Sequence, residues 1–336
     1  MNHAAEWFDH WAGTIDISRF AAITADEVAD ALRKACIDVV QNGARVHALE
    51  NRVFRFRGRG GLPDLYAKIY RPGSWDAAAI DEELDFIREL RVNGLPVAQP
   101  SVLLSLGDLH LCAFEGATGR DLTNCGLRTN QIETLGRMAS QLHAIGRQRK
   151  TTHRRSMHPA DYAAGGSAWL PQCGLVPASA ATRLADLTSE LLIELEVYDF
   201  GPCGRIHGDL GLWNMRWSDN GLMVYDFDDM GEGPCVHDLA QIALGIGGFT
   251  SPPTDASRRN EIVAILGRAY GIGAKRLGAG IALILAARRV HVSAWIASRW
   301  NDPRFRAKYP DFPNESRWRR ELEWIQAELK ESKEGM

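Results

Sequence analysis

The chain has 336 residues, a formal net charge of -3, 24% charged and 45% hydrophobic residues, a globular composition large enough for one big or two modest domains. The slight negative charge excludes nonspecific nucleic-acid binding as the main activity. The cysteines Cys36, Cys112, Cys125, Cys173, Cys203 and Cys235 form no CxxC pair, which excludes zinc-ribbon and thioredoxin sites and suggests reduced thiols in a cytoplasmic protein.

The first residues, MNHAAEWFDHWAG, show no basic region followed by an apolar run, so no secretory signal is expected. TADEVADALRKACIDVV, residues 24–40, predicts an amphipathic helix: Thr24 and Glu27 form a capping-box pattern, and Val28, Leu32, Cys36 and Val39 recur at helical spacing. NRVFRF alternates apolar and polar positions, DLYAKIY follows it, and RGRGGLP between them reads as a hairpin turn. That turn lacks the Gly-Lys-Ser/Thr ending of a phosphate-binding P-loop. DAAAIDEELDFIRELRVNG predicts a helix closed by Gly94, and VLLSLGDLHLCAF predicts two strands around a Gly107-Asp108 turn.

From about residue 130 the pattern becomes helical, first in NQIETLGRMASQLHAIG, where Asn130 and Glu133 suggest a second capping box. GRQRKTTHRRSMH, 146–158, reads as a solvated basic connector, with docking of an acidic protein as the sharper alternative and Thr151, Thr152 and Ser156 as candidate autophosphorylation sites. Helices are expected near 180–198, within 258–300 and over 315–332. The apolar run LGAGIALILAA, 277–287, is shorter than the roughly 20 residues a bilayer requires and reads as a buried helix. Trp295, Trp300, Trp318 and Trp324 are assigned to core packing. The whole predicts an α+β chain: a β-rich part over 1–114, a connector over 115–122, and a helical part over 123–336 with one small β insert.

Chemistry concentrates in RIHGDLGLWNMRWSDNGLMVYDFDDMGEGP, residues 205–234. Asp209 is followed five residues later by Asn214 and, after a compact SDNG hairpin, by Asp226. A hairpin brings the residue before its first strand towards the residue after its second, so Asn214 and Asp226 are candidate ligands for Mg²⁺ shared with nucleotide phosphates. Asp209 is then placed to accept a hydroxyl proton. This order is that of phosphoryl transfer, which also asks for a strand lysine paired with a helix glutamate. Lys68 and Glu83 fill those positions, with Glu82 the alternative partner; Asp228 and Asp229 extend the acidic patch towards a second metal or towards loop hydrogen bonds. A lone turn Asp or Asn is most often turn chemistry; the combined order and spacing outweigh that reading.

HGDLGLWN and VYDFDD resemble motifs of the aminoglycoside phosphotransferase and choline kinase superfamily. ENRVFRF, AKIYRPGSWDAAAIDEELDFIREL, PVAQP, GRMASQLHAIG, GPCVHDLAQI and AWIASRWNDPRFRAKYP are similar, in order, to the stress response kinase A-like Ser/Thr protein kinases within it, over about residues 45–330. The resemblance implies a two-lobed protein-kinase-like fold, ATP, Mg²⁺ and transfer of the γ-phosphoryl group to a hydroxyl. It makes Asp209 the base, Asn214 and Asp226 the metal ligands and Lys68 the phosphate lysine. It also implies a hinge in LHLCAFEG, with Ala113, Phe114 and Glu115 at the adenine, and a nucleotide-covering loop in VHALENRVF.

The chain departs from that pattern at Ala48, where a serine is expected, and in the apolar Leu210-Gly211-Leu212-Trp213, which makes Trp213 a candidate shaper of the acceptor pocket. The leading acceptor is a Ser or Thr of a protein or peptide. The alternative is a small-molecule alcohol such as an aminoglycoside or amino alcohol. A pseudokinase-like binding module is the third reading, and the intact Lys68, Asp209, Asn214 and Asp226 argue against it. No nucleic-acid or membrane partner is expected, and the expected state is a monomer.

Overall fold

The computed structural model describes residues 16–39, 43–58, 60, 62–123, 126–219, 221–247 and 256–335. The N-terminal segment through residue 15, Val40, Arg59 and Gly61 of RGRGG, Cys125 and Asn220 of SDNG lie outside them. The chain forms two compact units: one runs to Asp121 and includes Met215–Asp226, and the other holds Leu122–Asn214 and the chain from Phe227 onward.

The first unit is built on an antiparallel five-stranded sheet. Its strands are β1 (Ala44–Val46), β2 (Arg52–Phe56), β3 (Leu65–Ile69), β4 (Leu104–Leu106) and β5 (Leu109–Glu115), in spatial order β1-β2-β3-β5-β4. Alternation along β2 buries Phe54 and Phe56 and leaves Arg55 exposed. Arg55 Nε donates to Asp64 Oδ2 at 2.6 Å, and Asp64 Oδ1 accepts from the Gly58 N–H, which closes the β2–β3 turn. Helix α1 (Ser18–Ala22) and helix α2 (Ala25–Lys34) supply Phe20, Val28, Ala29 and Leu32 to a core shared with Phe54, Phe56, Ala67, Leu109 and Leu111.

Thr24 caps α2 reciprocally with Glu27, as the sequence predicts. The helix ends six residues earlier than expected, however. Cys36 has a φ of 59° and is exposed, so the chain turns there instead of continuing the apolar stripe. Helix α3 (Ala77–Val92), capped by Asp76, follows β3.

A three-stranded sheet completes this unit: β6 (Arg120–Asp121), β8 (Met215–Ser218) and β9 (Gly221–Val224), paired β6-β8-β9. The β8–β9 pair is the expected SDNG hairpin, with Met215 opposite Val224 and Gly221 at a φ of 103°. The sequence assigned this hairpin to the helical part. It groups with the first unit because Val224 donates to the Pro96 carbonyl and accepts from the Ala98 N–H, at 2.8 and 2.9 Å.

The second unit is mainly helical: α4 (Thr129–Gly146), α5 (Pro159–Trp169), α6 (Ala178–Val197), α7 (Val236–Ile246), α8 (Ala256–Tyr270), α9 (Ala274–Ser298), α10 (Pro303–Lys308) and α11 (Glu315–Gly335). Between α6 and α7 lie β7 (Cys203–Ile206) and β10 (Gly231–Pro234), an antiparallel pair. Helix α9 packs against α5, α6, α7, α8 and α11. Its 25 residues are long and apolar enough to cross a membrane, but 72% of the apolar window is buried inside the unit. The apolar run therefore belongs to a core helix, as the sequence reading expects.

Three sequence expectations change here. Helix α4 starts at Thr129, and the Arg128 N–H donates to Gln131 Oε1 at 3.0 Å; Glu133 does not cap it but pairs with Arg137 and Arg268. Helix α5 was not anticipated, because Gly165 and Gly166 weaken helix propensity and blur its period. Those glycines let α5 approach α9: a Cβ at Gly166 would lie 3.0 Å from Val290 Cγ1. The basic connector is not wholly solvated, since Arg154 is buried and its guanidinium donates to the carbonyls of Met230, at 2.7 Å, and Asp228.

Ile284 lies fully buried at the middle of α9. Ile284→Ala removes three methyl or methylene groups' worth of packing and is expected to cost about 2–5 kcal/mol, measured by urea denaturation.

Candidate active site

In the sheet unit, Lys68 lies on β3 opposite Cys112 of β5. Its Nζ is 3.0 Å from Glu83 Oε1 and 3.7 Å from Asp226 Oδ1. Glu83 is wholly buried in the apolar face of α3, among Ile80, Leu84 and Ile87. A carboxylate in such a stripe is costly unless a cation and hydrogen bonds compensate it. Lys68 supplies the cation, and Tyr70 Oη donates to the same Oε1 at 3.3 Å. The rings of Tyr70 and Phe114 lie 4.3 and 5.1 Å from the ammonium. Glu82, half-exposed on the adjacent face, leaves Glu83 as the lysine's ion-pair partner.

Asp226 follows β9 with a φ of 64°, a left-handed conformation that Asp tolerates better than most residues. Its carboxylate is half-exposed, in contrast to that of Glu83.

Ala113, Phe114 and Glu115 lie within β5, paired with Ala67, Tyr66 and Leu65 of β3. The Ala113 N–H donates to Ser101 Oγ at 3.0 Å, its carbonyl accepts from the Ser101 N–H, and the Glu115 N–H donates to the Gln99 carbonyl. These backbone groups are engaged with the segment that precedes β4. The loop between β1 and β2, within VHALENRVF, is tied down by Asn51 Oδ1, which accepts from the Arg71 N–H, and by Glu50 Oε1, which accepts from Ser74 Oγ.

In the helical unit, the loop from His207 to Asn214 is held by Asp238, a fully buried residue of α7. Asp238 Oδ2 accepts from the His207 N–H at 2.9 Å, Oδ1 accepts from the Gly208 N–H at 2.9 Å, and His143 Nε2 is 3.0 Å from Oδ2. His143 Nδ1 in turn lies 2.9 Å from Tyr270 Oη. Burial opposes the charge on Asp238, but the hydrogen bond from His143, the proximity of His237 and nearby histidine charge hold its carboxyl well below the usual range. Gly208, at a φ of 85°, packs so closely that a Cβ would sit 2.0 Å from the Asp229 carbonyl oxygen. The Asp229 carbonyl thus packs against this loop, and the Asp228 carbonyl takes Arg154.

The apolar LGLW segment now has a physical account. Leu210 and Leu212 are fully buried anchors, and a short 3₁₀ turn over Leu212–Asn214 leaves Trp213 half-buried. Trp213 Nε1 donates to Asp209 Oδ2 at 2.7 Å. Asn214 Nδ2 donates to the Asp209 carbonyl oxygen at 2.9 Å and to Oδ2 at 3.1 Å. Arg288 of α9 lies 3.5 Å from Asp209 Oδ1.

The structure thus joins Lys68, Glu83 and Asp226 within one unit, and Asp209 and Asn214 within the other. Sequence reading missed Asp238, His143 and Arg288. Asp238 was visible as a charge in the otherwise apolar start of VHDLAQI; the other two carry no local signal.

Residues 42–280 match the phosphotransferase enzyme family, APH. The chain belongs to that family. It is a kinase of the APH group, with a β-sheet N-terminal region and a helical C-terminal region. The chain is 30% identical over 313 residues to stress response kinase A of Salmonella typhi, covering 90% of this chain and 91% of that protein. The same figures hold for Serine/threonine protein kinase RdoA of Salmonella typhimurium. Among solved structures, amicoumacin kinase hAmiN, in complex with AMP-PNP, Ca²⁺ and Ami, shares the APH fold. Its TM-score is 0.65 at 19% identity, covering 89% of this chain and 96% of that one.

A carboxyl whose folded pKa is depressed contributes stability that is complete above its unfolded value and is lost as pH falls below it. Asp238→Asn is expected to cost about 3–5 kcal/mol at neutral pH. The gap to wild type should narrow as pH falls from about 5 to about 3, as read by urea denaturation at each pH.

Proposed function

We propose that this kinase uses ATP and Mg²⁺ to phosphorylate the hydroxyl of a Ser or Thr in a protein or peptide. The observation that carries the reading is the orientation of Asn214. Both bonds of its Nδ2 go to oxygens that only accept, so the amide cannot be flipped and its Oδ1 is left as an oxygen donor. An amide oxygen and a half-exposed carboxylate, Asp226, suit a hard cation that shares its shell with phosphates and water. When bound, Mg²⁺ neutralises charge on the transferred phosphoryl group.

The chain's own residues do the rest in this reading. Lys68 holds phosphate oxygens, and its Glu83 partner keeps the ammonium at one position. Trp213 and Asn214 fix Asp209 Oδ2, so Oδ1, which among the described residues has only the long contact to Arg288, takes the acceptor's proton. Phe114, whose ring lies 5.1 Å from the Lys68 ammonium, offers apolar contact to the adenine, with Ala113 buried behind it, and the loop containing Glu50 and Asn51 covers the nucleotide. The near full-length similarity to relatives named as a stress response kinase and a Ser/Thr protein kinase supports a protein acceptor.

A small-molecule alcohol is the second reading, favoured by an amicoumacin kinase of the same fold. Incubation with radiolabelled ATP and a lysate separated into protein and small-molecule fractions distinguishes them. Label confined to the small-molecule fraction rejects the protein acceptor.

Asp209→Asn keeps size and most hydrogen bonds but removes the proton acceptor. Phosphoryl transfer is expected to fall at least about 10²-fold while calorimetry still shows near-wild-type Mg-ATP binding; a variant that transfers normally excludes Asp209 as the base. Asp226→Ala, by contrast, should bind ATP equally with Mg²⁺ or with a chelator present. Retention of the wild-type metal dependence removes Asp226 from the metal shell.

A further inference from the structure

Helix α9 is apolar along most of its length, yet carries Arg288 and Arg289 in succession near its middle. Arg289 is accounted for by Glu321, 3.2 Å from its NH1. Arg288 is placed differently. It is 27% exposed, and of its five N–H donors only one meets a partner among the described residues, Asp209 Oδ1 at the long distance of 3.5 Å. Its guanidinium carbon also lies 5.7 Å from the ring of Trp213, the residue whose indole N–H holds the other Asp209 oxygen. A partly desolvated cation with unused donors therefore borders the carboxylate proposed to receive the acceptor's proton.

The surroundings are cationic as well. Burial, followed by the charges of Arg288, His237, Arg299 and Arg155, pushes the His291 imidazole down to about 3. The charged groups acting on that ring are thus of one sign, and Asp209 is the carboxylate that Arg288 faces. An acceptor bearing ammonium groups beside its hydroxyl would approach this side against repulsion, whereas one bearing a carboxylate would complete the guanidinium's hydrogen bonding.

We infer that Arg288 selects the acceptor: a Ser or Thr hydroxyl in a protein segment with Asp or Glu beside it. The inference rests on the protein-acceptor reading above. Specificity here has an attractive element, the fork of donors on Arg288, and a repulsive one, the charge of the same guanidinium against a basic acceptor.

The test compares two serine peptides of equal length, one with glutamates and one with lysines flanking the serine, on wild type, Arg288→Gln and Arg288→Lys. Wild type is expected to favour the glutamate peptide by about tenfold or more in kcat/KM, mostly through KM. Arg288→Gln should flatten that ratio and Arg288→Lys should keep most of it. Thermal shift with Mg-ATP shows that each variant is folded, and should Arg288→Gln fail it, the wild-type ratio and Arg288→Lys still carry the test. Equal use of both peptides by wild type overturns the inference and leaves the protein-kinase reading standing. So does an equal loss on both peptides in Arg288→Gln with the ratio intact, because Arg288 would then only restrain Asp209. Labelling of a cationic alcohol such as choline or kanamycin, with neither peptide labelled, defeats both readings.

Discussion

The buried carboxylate of Asp238 is the constraint on which the helical unit's chemistry depends. One side chain on α7 binds two successive backbone N–H groups, at His207 and Gly208, and a histidine from α4. A charge with no exposure is compensated here by those three donors. The consequence is geometric. The residue that follows those two N–H groups is Asp209, so a core interaction sets the backbone from which the carboxylate proposed as the base projects. Gly208 belongs to the same constraint, because no side chain fits against the Asp229 carbonyl.

The sheet unit solves a comparable problem with the opposite emphasis. Glu83 is sealed in the apolar face of α3 and needs Lys68, while Lys68 also meets the half-exposed Asp226. The buried partner gives the ammonium a fixed position, and the exposed one leaves it electrostatically available to an anion. Asp226 reaches it from a left-handed backbone position after β9, a hairpin held to the unit through Val224. In the helical unit the half-exposed Asp209 is thus held through the buried Asp238, and in the sheet unit the half-exposed Asp226 meets a lysine that is itself buried beside Glu83.

Much of this was legible in the chain because it depends on local order. The 2-residue period of NRVFRF, the Gly-closed helix of residues 76–94, the SDNG hairpin and the spacing of Asp209, Asn214 and Asp226 are all properties of short windows. Family membership follows from the same motifs read in order. Windows misled where packing overrode propensity. Cys36 matches a helical period, yet the chain leaves the helix before it; the glycines of α5 argue against a helix that contact with α9 sustains.

What the sequence by itself determined is which residue types exist for phosphoryl transfer and which elements carry them, since periodicity, caps and turns act between near neighbours. Only the tertiary structure decided between Glu82 and Glu83, because burial on one face of α3 is a property of what packs there. Only the tertiary structure could show that Ala113 and Glu115 have engaged backbone groups with Ser101 and Gln99, or that Arg154 is an internal brace. The largest gain was at Asp209. Its supports, His143 through Asp238 and Arg288 directly, lie 66 and 79 residues away along the chain. Hydrogen bonds and ion pairs act over a few ångströms of space, whatever the sequence separation, so no local pattern could announce them.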